Sequence, residues 1–299
     1  MDCTTLANHR WLPKMGLVLC NSLPRELAYA VGEGLANAIS LQARLPLVRA
    51  ITSNVSVALG LPSDHATVKA LVPRILRNFM RAQVDLYRAV RDGPSEIMHA
   101  CEFDPSLLQA ITQLREQGRG LVLAGAHTTS FDLLLLALNG VFPSVQALTT
   151  PNLRGSTRAM NTIRARFGLR ITPVSSRSLK EAIQNLRAGG VVVTGIDVPD
   201  PHGAPFRLFG HEARLPLGHA RLAQRTGASL IVGACGAIAP GRYLATGSIV
   251  ARPDAGKDED GGAACWAQSS YNALESHIRR WIEEWVMPHP LWPERMAAR

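Results

Sequence analysis

The sequence predicts an α/β fold: a mostly parallel central sheet flanked by helices, with an N-terminal helical segment in front of it. Two observations carry that prediction. From residue 120 to residue 250, short apolar runs of strand length alternate with stretches of helical periodicity, which is how parallel strands joined by crossover helices read. Several of the helical stretches also close on a glycine, at Gly118, Gly168, Gly189 and Gly227, where a left-handed residue ends a helix at little cost. At 299 residues and 46% apolar composition the chain is long enough to bury a sizeable core and too apolar to be disordered.

Taken in order, residues 1–60 are apolar and weakly patterned, with Trp11, Leu12, Leu17, Val18 and Leu19 near the start. They read as short helices lying against another surface. From Asp64 to Arg91, Val68, Leu71, Val72, Ile75, Phe79 and Leu86 recur at helical spacing with Arg74, Arg77, Arg81 and Arg88 between them, a long amphipathic helix with a basic face. Asp104-Pro105 opens a further helix that Gly118 ends. The run 120–126 is a strand and Ser130 to Leu138 a helix. The run 145–149 is a strand, followed by a helix over Asn152–Phe167. The run 169–174 is a strand, and Ser178-Leu179-Lys180-Glu181 forms a capping box that opens a helix ending at Gly189. Residues 191–197 are a strand, Pro216–Thr226 a helix, and 228–238 and 242–250 strands. Residues 252–264 read as an exposed acidic loop, and Trp266–Met287 as a closing helix before a proline-broken tail. The expected organisation is one domain over 1–299, with a helical region at 1–100 and an α/β core at 101–290.

Composition narrows the function. The formal net charge is +9, and of 32 basic residues only Lys14, Lys69, Lys180 and Lys257 are lysines. Arginine forks suit phosphates and carboxylates, so an anionic partner fits the balance, as does a plain compositional bias. Cys3, Cys20, Cys101, Cys235 and Cys265 are odd in number and scattered. That pattern argues against a disulfide framework or a zinc site. The apolar run Leu133–Phe142 is about half of the roughly 20 residues a membrane span needs. Gly-x-Ser-x-Gly, the phosphate loop and the dinucleotide fingerprint are all missing. His202, His211 and His219 lie close together, but no acidic or cysteine spacing there makes a metal site, and they read as loop residues, so no metal is expected.

The motif that stands out is Gly-Ala-His-Thr-Thr-Ser-Phe-Asp at 125–132. In parallel sheets ligands sit beyond the carboxyl ends of strands, and His127 stands there. Residues five apart fall about 140° from each other on an ideal helix, so one straight face cannot carry both His127 and Asp132. If the chain turns after His127 and the helix starts near Ser130, Asp132 falls in the first turn and can reach back to the ring. A carboxylate on one imidazole nitrogen fixes the tautomer and leaves the other nitrogen as a base. The spacing also fits a carboxylate that merely matches the helix dipole after an unrelated histidine. Downstream, Asp197 ends a strand and points toward the same edge. In Arg-Leu-Pro-Leu-Gly (214–218), Arg214 lies in a loop and Gly218 at a helix start, a place that favours anionic groups. The Leu133–Leu138 run is core or the lining of an apolar groove.

With these blocks in this order, the chain resembles the glycerolipid acyltransferase superfamily over roughly residues 45–290. The nearest branch is that of lipid A late acyltransferases and phosphatidylinositol mannoside acyltransferases. The resemblance rests on His-x4-Asp at a strand end, on "NTIRARFGLRITPV", and on the block from Ala188 to Ala234 with its Phe-Gly and Arg-x-Pro-x-Gly elements. It departs where Thr129, Ser130 and Phe131 replace the usual Gly-Asn-Trp, and in the absence of the membrane-spanning start common in the lipid A type. The resemblance implies transfer of a fatty acyl group from a thioester, on acyl carrier protein or coenzyme A, to a hydroxyl of a glycolipid or lysophospholipid. No cofactor is implied beyond that thioester co-substrate. His127 would be the base and Asp132 its support. The helix start at Thr129 and Ser130, or Arg164 with Arg166 as its alternative, would meet the oxyanion. Phe131 would contact substrate, Asp197 would hold Arg164 or touch acceptor hydroxyls, and Arg214 would meet a phosphate. The expected place is the cytoplasmic face of the cell membrane, peripherally, on an anionic surface, with the oligomeric state open. A hydrolase with the same pair, and a basic nucleic-acid-binding protein, are the competing readings. The second is disfavoured by sparse aromatics and no binding motif.

Overall fold

The structure, a computed structural model, describes residues 16, 18, 20–142, 144–150, 155–253 and 259–297. The expected apolar start around Trp11 lies outside them. Seven strands form the main sheet in the order β1-β9-β8-β2-β5-β3-β4. They are β1 (Cys101–Phe103), β2 (Leu121–Gly125), β3 (Val145–Thr149), β4 (Arg170–Pro173), β5 (Val191–Gly195), β8 (Ser229–Ala239) and β9 (Arg242–Val250). Strands β8, β2, β5, β3 and β4 are parallel. β9 runs antiparallel to β8, and β1 parallel to β9. A separate hairpin of β6 (Ala204–Leu208) and β7 (His211–Leu215) stands outside the sheet.

Alternation along the central strands builds the two faces. Val122, Ala124, Val192, Leu230 and Val232 face one side, where they join side chains of α8 (Ser176–Arg187), α9 (Gly218–Thr226), α10 (Glu259–Arg280) and the hairpin. Leu121, Leu123, Val191, Val193 and Ile231 face the other, against α5 (Pro105–Glu116) and α6 (Phe131–Val141). Both faces being covered is why these strands read as continuous apolar runs. The N-terminal layer is α1 (Arg25–Ser40), α2 (Pro46–Leu59) and the long α3 (Ala66–Asp92), with α4 (Pro94–Ala100) leading into β1. Ile51, Val55, Val68, Leu71, Ile75 and Leu76 form its core. Between β3 and β4 runs α7 (Gly155–Arg166); the start expected for it at Asn152 lies outside the described residues.

Several expectations need correcting. The arginines of α3 are not free charges, although Arg74 and Arg81 stay exposed at 51% and 47%: Arg74 pairs with Glu283, Arg77 with Asn37 and Arg81 with Glu33, and Arg88 donates to the carbonyls of Cys20 and Leu23. The capping box of α8 sits three residues earlier. Ser175 is the N-cap, its hydroxyl accepting from the Ser178 amide at 3.1 Å, while the Ser178 hydroxyl accepts from the Ser175 amide at 2.8 Å. Of the loop expected at 252–264, residues 259–264 are the first turns of α10, because buried Ala263 and Trp266 seat that end on the core. The closing helix ends at Arg280, and Ile282–Glu284 form a 3₁₀ turn. His219 is no loop residue: it lies buried in α9, edge-on to Tyr271 at 5.7 Å. His211 starts β7.

Candidate active site

The position of His127 follows from strand register. Gly125 of β2 pairs with Gly195 of β5, so two residues further on His127 and Asp197 leave neighbouring strands side by side. The carboxylate that reaches the imidazole is therefore Asp197 and not Asp132. Asp197 Oδ1 lies 2.5 Å from His127 Nδ1, and Oδ2 accepts the His127 amide at 2.9 Å and the Trp285 indole N–H at 2.8 Å. Asp197 is wholly buried, whereas the His127 side chain is 35% exposed. The ring can lie flat over β5 only because residue 195 is glycine: a Cβ there would collide with His127 Cε1. Phe131 stacks on the other side, ring centres 5.1 Å apart at 30°.

The electrostatics follow from this geometry. Burial works against a charge on the His127 ring, but the field and hydrogen bond of Asp197 outweigh it and hold the imidazole above its ordinary pKa. Asp132 pushes the same way more weakly, and Arg164 opposes. Burial likewise works against the Asp197 carboxylate, yet His127 and the Trp285 indole together hold it below the usual range.

Asp132 is turned to another partner. It lies in the first turn of α6 and accepts from two nitrogens of Arg164, Nε at 2.7 Å and Nη2. Arg164 Nη1 donates to Asn161. The Arg164 guanidinium is thus committed to Asp132 and Asn161, and it does not bind Asp197, while Arg166 is exposed to solvent. Thr129 and Ser130 are both buried. The Thr129 amide donates to the Glu284 carbonyl at 2.8 Å, and its hydroxyl donates to the Glu284 carboxylate. That takes the Thr129 N–H away from any oxyanion. The Ser130 hydroxyl donates to the Cys235 carbonyl at 3.1 Å. Arg214 is exposed on β7 rather than in a loop, and Gly218 opens α9 as expected. Among the described residues neither makes a hydrogen bond or ion pair to His127 or Asp197.

Residues that the sequence did not single out complete the site. After the 3₁₀ turn the chain runs antiparallel to the loop carrying His127. Trp285 bridges Thr128, and the Val286 amide donates to the His127 carbonyl at 3.1 Å. Glu284 is buried and its pKa is pushed up by that burial, against the hydrogen bond from Thr129. Further on, buried Asn54 of α2 holds the tail through the carbonyls of Met287 and His289 and the amide of Leu291. This brings His289 close enough to the site that burial and the charge of His127 both lower its pKa. A strand-end imidazole with a buried carboxylate on Nδ1 and an accessible opposite nitrogen is an arrangement for taking a proton from a hydroxyl. The family model described as bacterial lipid A biosynthesis acyltransferase matches residues 3–294 of the chain. No curated protein gives a significant match.

Proposed function

Because the chain belongs to the family of bacterial lipid A biosynthesis acyltransferases, we propose that it transfers a fatty acyl group from a thioester to a hydroxyl of a glycolipid or lysophospholipid, with His127 as base and Asp197 as its support. The donor would be acyl carrier protein or coenzyme A carrying the acyl chain, and the enzyme would work peripherally at the cytoplasmic face of the membrane. No helix among the described residues is long and apolar enough to cross one.

The observation that carries the chemistry is the 2.5 Å contact between His127 Nδ1 and Asp197 Oδ1. An ionised Asp197 favours the ring proton on Nδ1, which would leave the Nε2 lone pair for the acceptor hydroxyl. As the hydroxyl oxygen bonds to the thioester carbonyl carbon, its proton passes to Nε2. Asp197 stabilises the imidazolium so formed. The C–S bond then breaks, and the departing sulfur takes the proton from Nε2, returning the ring to its first state. Arg164 acts on the His127 ring electrostatically, but Asp132 opposes it and holds its guanidinium, so its part in the reaction would be to position the first turn of α6 beside the ring. No enzyme-bound acyl intermediate is required.

The test is to incubate the protein with a long-chain acyl thioester and a detergent-dispersed glycolipid acceptor and to follow ester formation by mass spectrometry. His127→Ala should cut the rate by about 10²–10⁴-fold with an unchanged circular dichroism spectrum. A variant of normal rate would overturn the assignment. Thioester consumed with no ester formed would make water the acceptor and the enzyme a hydrolase.

A further inference from the structure

α1 is apolar on the wrong side. One face packs on α3 through Ala36 and Gly32, the latter against Met80. The opposite face carries Leu27, Val31 and Leu35, 49%, 57% and 53% exposed, with Ala30, Gly34 and Ala38 between them and Leu41 at its end. These positions recur every three or four residues and form one continuous stripe. No charged residue belongs to it. Helix faces turned to water are ordinarily polar, and a contiguous uncovered apolar patch marks a contact.

The position of the stripe says what it contacts. β8 is parallel to β2, so the β8–β9 turn lies at the carboxyl edge of the sheet, the edge that carries His127. The start of α1 sits over that turn: the Arg25 guanidinium lies against Gly241, and Tyr29 and Tyr243 share the carboxylate of Asp85 at 2.6 and 2.7 Å. Ile238, 47% exposed at the end of β8, adds to the apolar surface there. Arg25 opens the helix but is turned away from the stripe, 3.5 Å from the buried carboxylate of Asp85, while exposed Arg44 follows the helix at the other end. An uncharged apolar band of helix length with an exposed arginine beside it fits the boundary between acyl chains and anionic headgroups.

We propose that the outward face of α1 is the surface by which the protein lies on a lipid bilayer, its axis in the membrane plane, so that the edge carrying His127 faces the lipid. This rests on the proposed lipid acceptor for its purpose and on the exposed stripe for its geometry. Because apolar insertion supplies most of the attachment, binding should largely survive high salt, unlike attachment by charge alone.

The experiment uses the full chain and vesicles of phosphatidylethanolamine with phosphatidylglycerol. The wild type should sediment with them. The triple variant Leu27→Asp, Val31→Asp, Leu35→Asp replaces side chains that support no core, so it should stay folded while its partition into vesicles drops at least tenfold. Transfer to a vesicle-borne acceptor should fall in step, and transfer to the detergent-dispersed acceptor should not. Loss of transfer in both formats by the wild type would defeat the acyltransferase reading and leave the vesicle result standing. In a second variant, Leu27→Trp, emission should shift to the blue on adding vesicles. Unchanged emission while the protein sediments would overturn the proposal. So would a wild-type dimer that the triple variant converts to monomer, which would make the face an interface between two copies. Emission already blue without lipid, and shifting to the red when residues 1–15 are deleted, would make the chain's own N-terminal segment the occupant.

Discussion

His127 can accept a proton only when its ring is neutral, and Asp197 decides the pH at which that happens. With the imidazole held above its ordinary value near 6.5, the ring stays protonated to higher pH than a free histidine. The acidic limb of kcat/KM should therefore lie above about 6.5. In Asp197→Asn the main influence that raises the pKa is gone and only the weaker one of Asp132 remains, while burial and Arg164 still lower it. The limb should move to lower pH even as the rate falls, by about 10²–10⁴-fold, from loss of imidazolium support. A pH–rate profile checks both, and a limb that stays put would exclude Asp197 from the proton transfer. The sequence made His127 legible because it follows an apolar run and a Gly-Ala step. It misled about its partner because Asp132 is close in sequence, whereas Asp197 is close only once β2 and β5 are known to be neighbours. Periodicity does not report strand order.

At the scale of elements, the segment after α10 braces the site. Residues 284–286 hold the His127 loop through two backbone hydrogen bonds, which together make the bridge between Thr128 and Trp285, and the Trp285 indole fixes the far oxygen of Asp197. Trp285→Phe keeps a ring for Phe209, whose centre is 5.9 Å away, and removes the N–H together with part of the buried indole's bulk. A hydrogen bond to a charged group is worth about 1.5–3 kcal/mol, so kcat should fall by about 10–100-fold with KM for the thioester unchanged and the variant still folded. A large loss of thermal stability with normal turnover per folded molecule would make Trp285 a packing residue only. Apolar spacing in 266–287 continues past Arg280, which is why it reads as one helix; the pairing that breaks it is tertiary. The hairpin of β6 and β7 was hidden for a related reason. Its two-residue turn is Phe209-Gly210, with φ of 52° and 77°. Both residues need positive φ in that turn, which Asn-Gly or Gly-Gly would advertise. Phenylalanine is tolerated because Trp285, Trp292 and the guanidinium of Arg279 enclose its ring, and because its amide donates to Glu275.

Across the whole molecule, the N-terminal helices are tied to the sheet at one buried point. Asp85 of α3, 2% exposed, accepts from Tyr29 of α1 and Tyr243 of β9. Replacing it by alanine leaves two hydroxyls short of an acceptor, at about 1–3 kcal/mol each where they stay buried. Asp85→Ala should lower the urea midpoint accordingly, while Asp85→Asn, which retains an acceptor, should lower it less. Equal loss in both would mean that the charge rather than the hydrogen bonding holds the junction. The long helix itself was plain in the sequence from its apolar spacing. That four of its arginines find partners within the chain, on Glu33, Asn37, Glu283 and two carbonyls, was not, because a charge pattern does not name its partners.

The pairing of Gly125 with Gly195 has a consequence for how such a chain can change over time. His127 and Asp197 each stand two residues past that rung, so the two strands act as a common ruler for them. Loops within the intervening stretch can gain or lose residues without altering the distance between the two side chains. One residue inserted between Gly195 and Asp197, or between Gly125 and His127, would turn the side chain toward the opposite face. Length drift should therefore accumulate beside α6, α7 and α8 and be purged at these two short intervals.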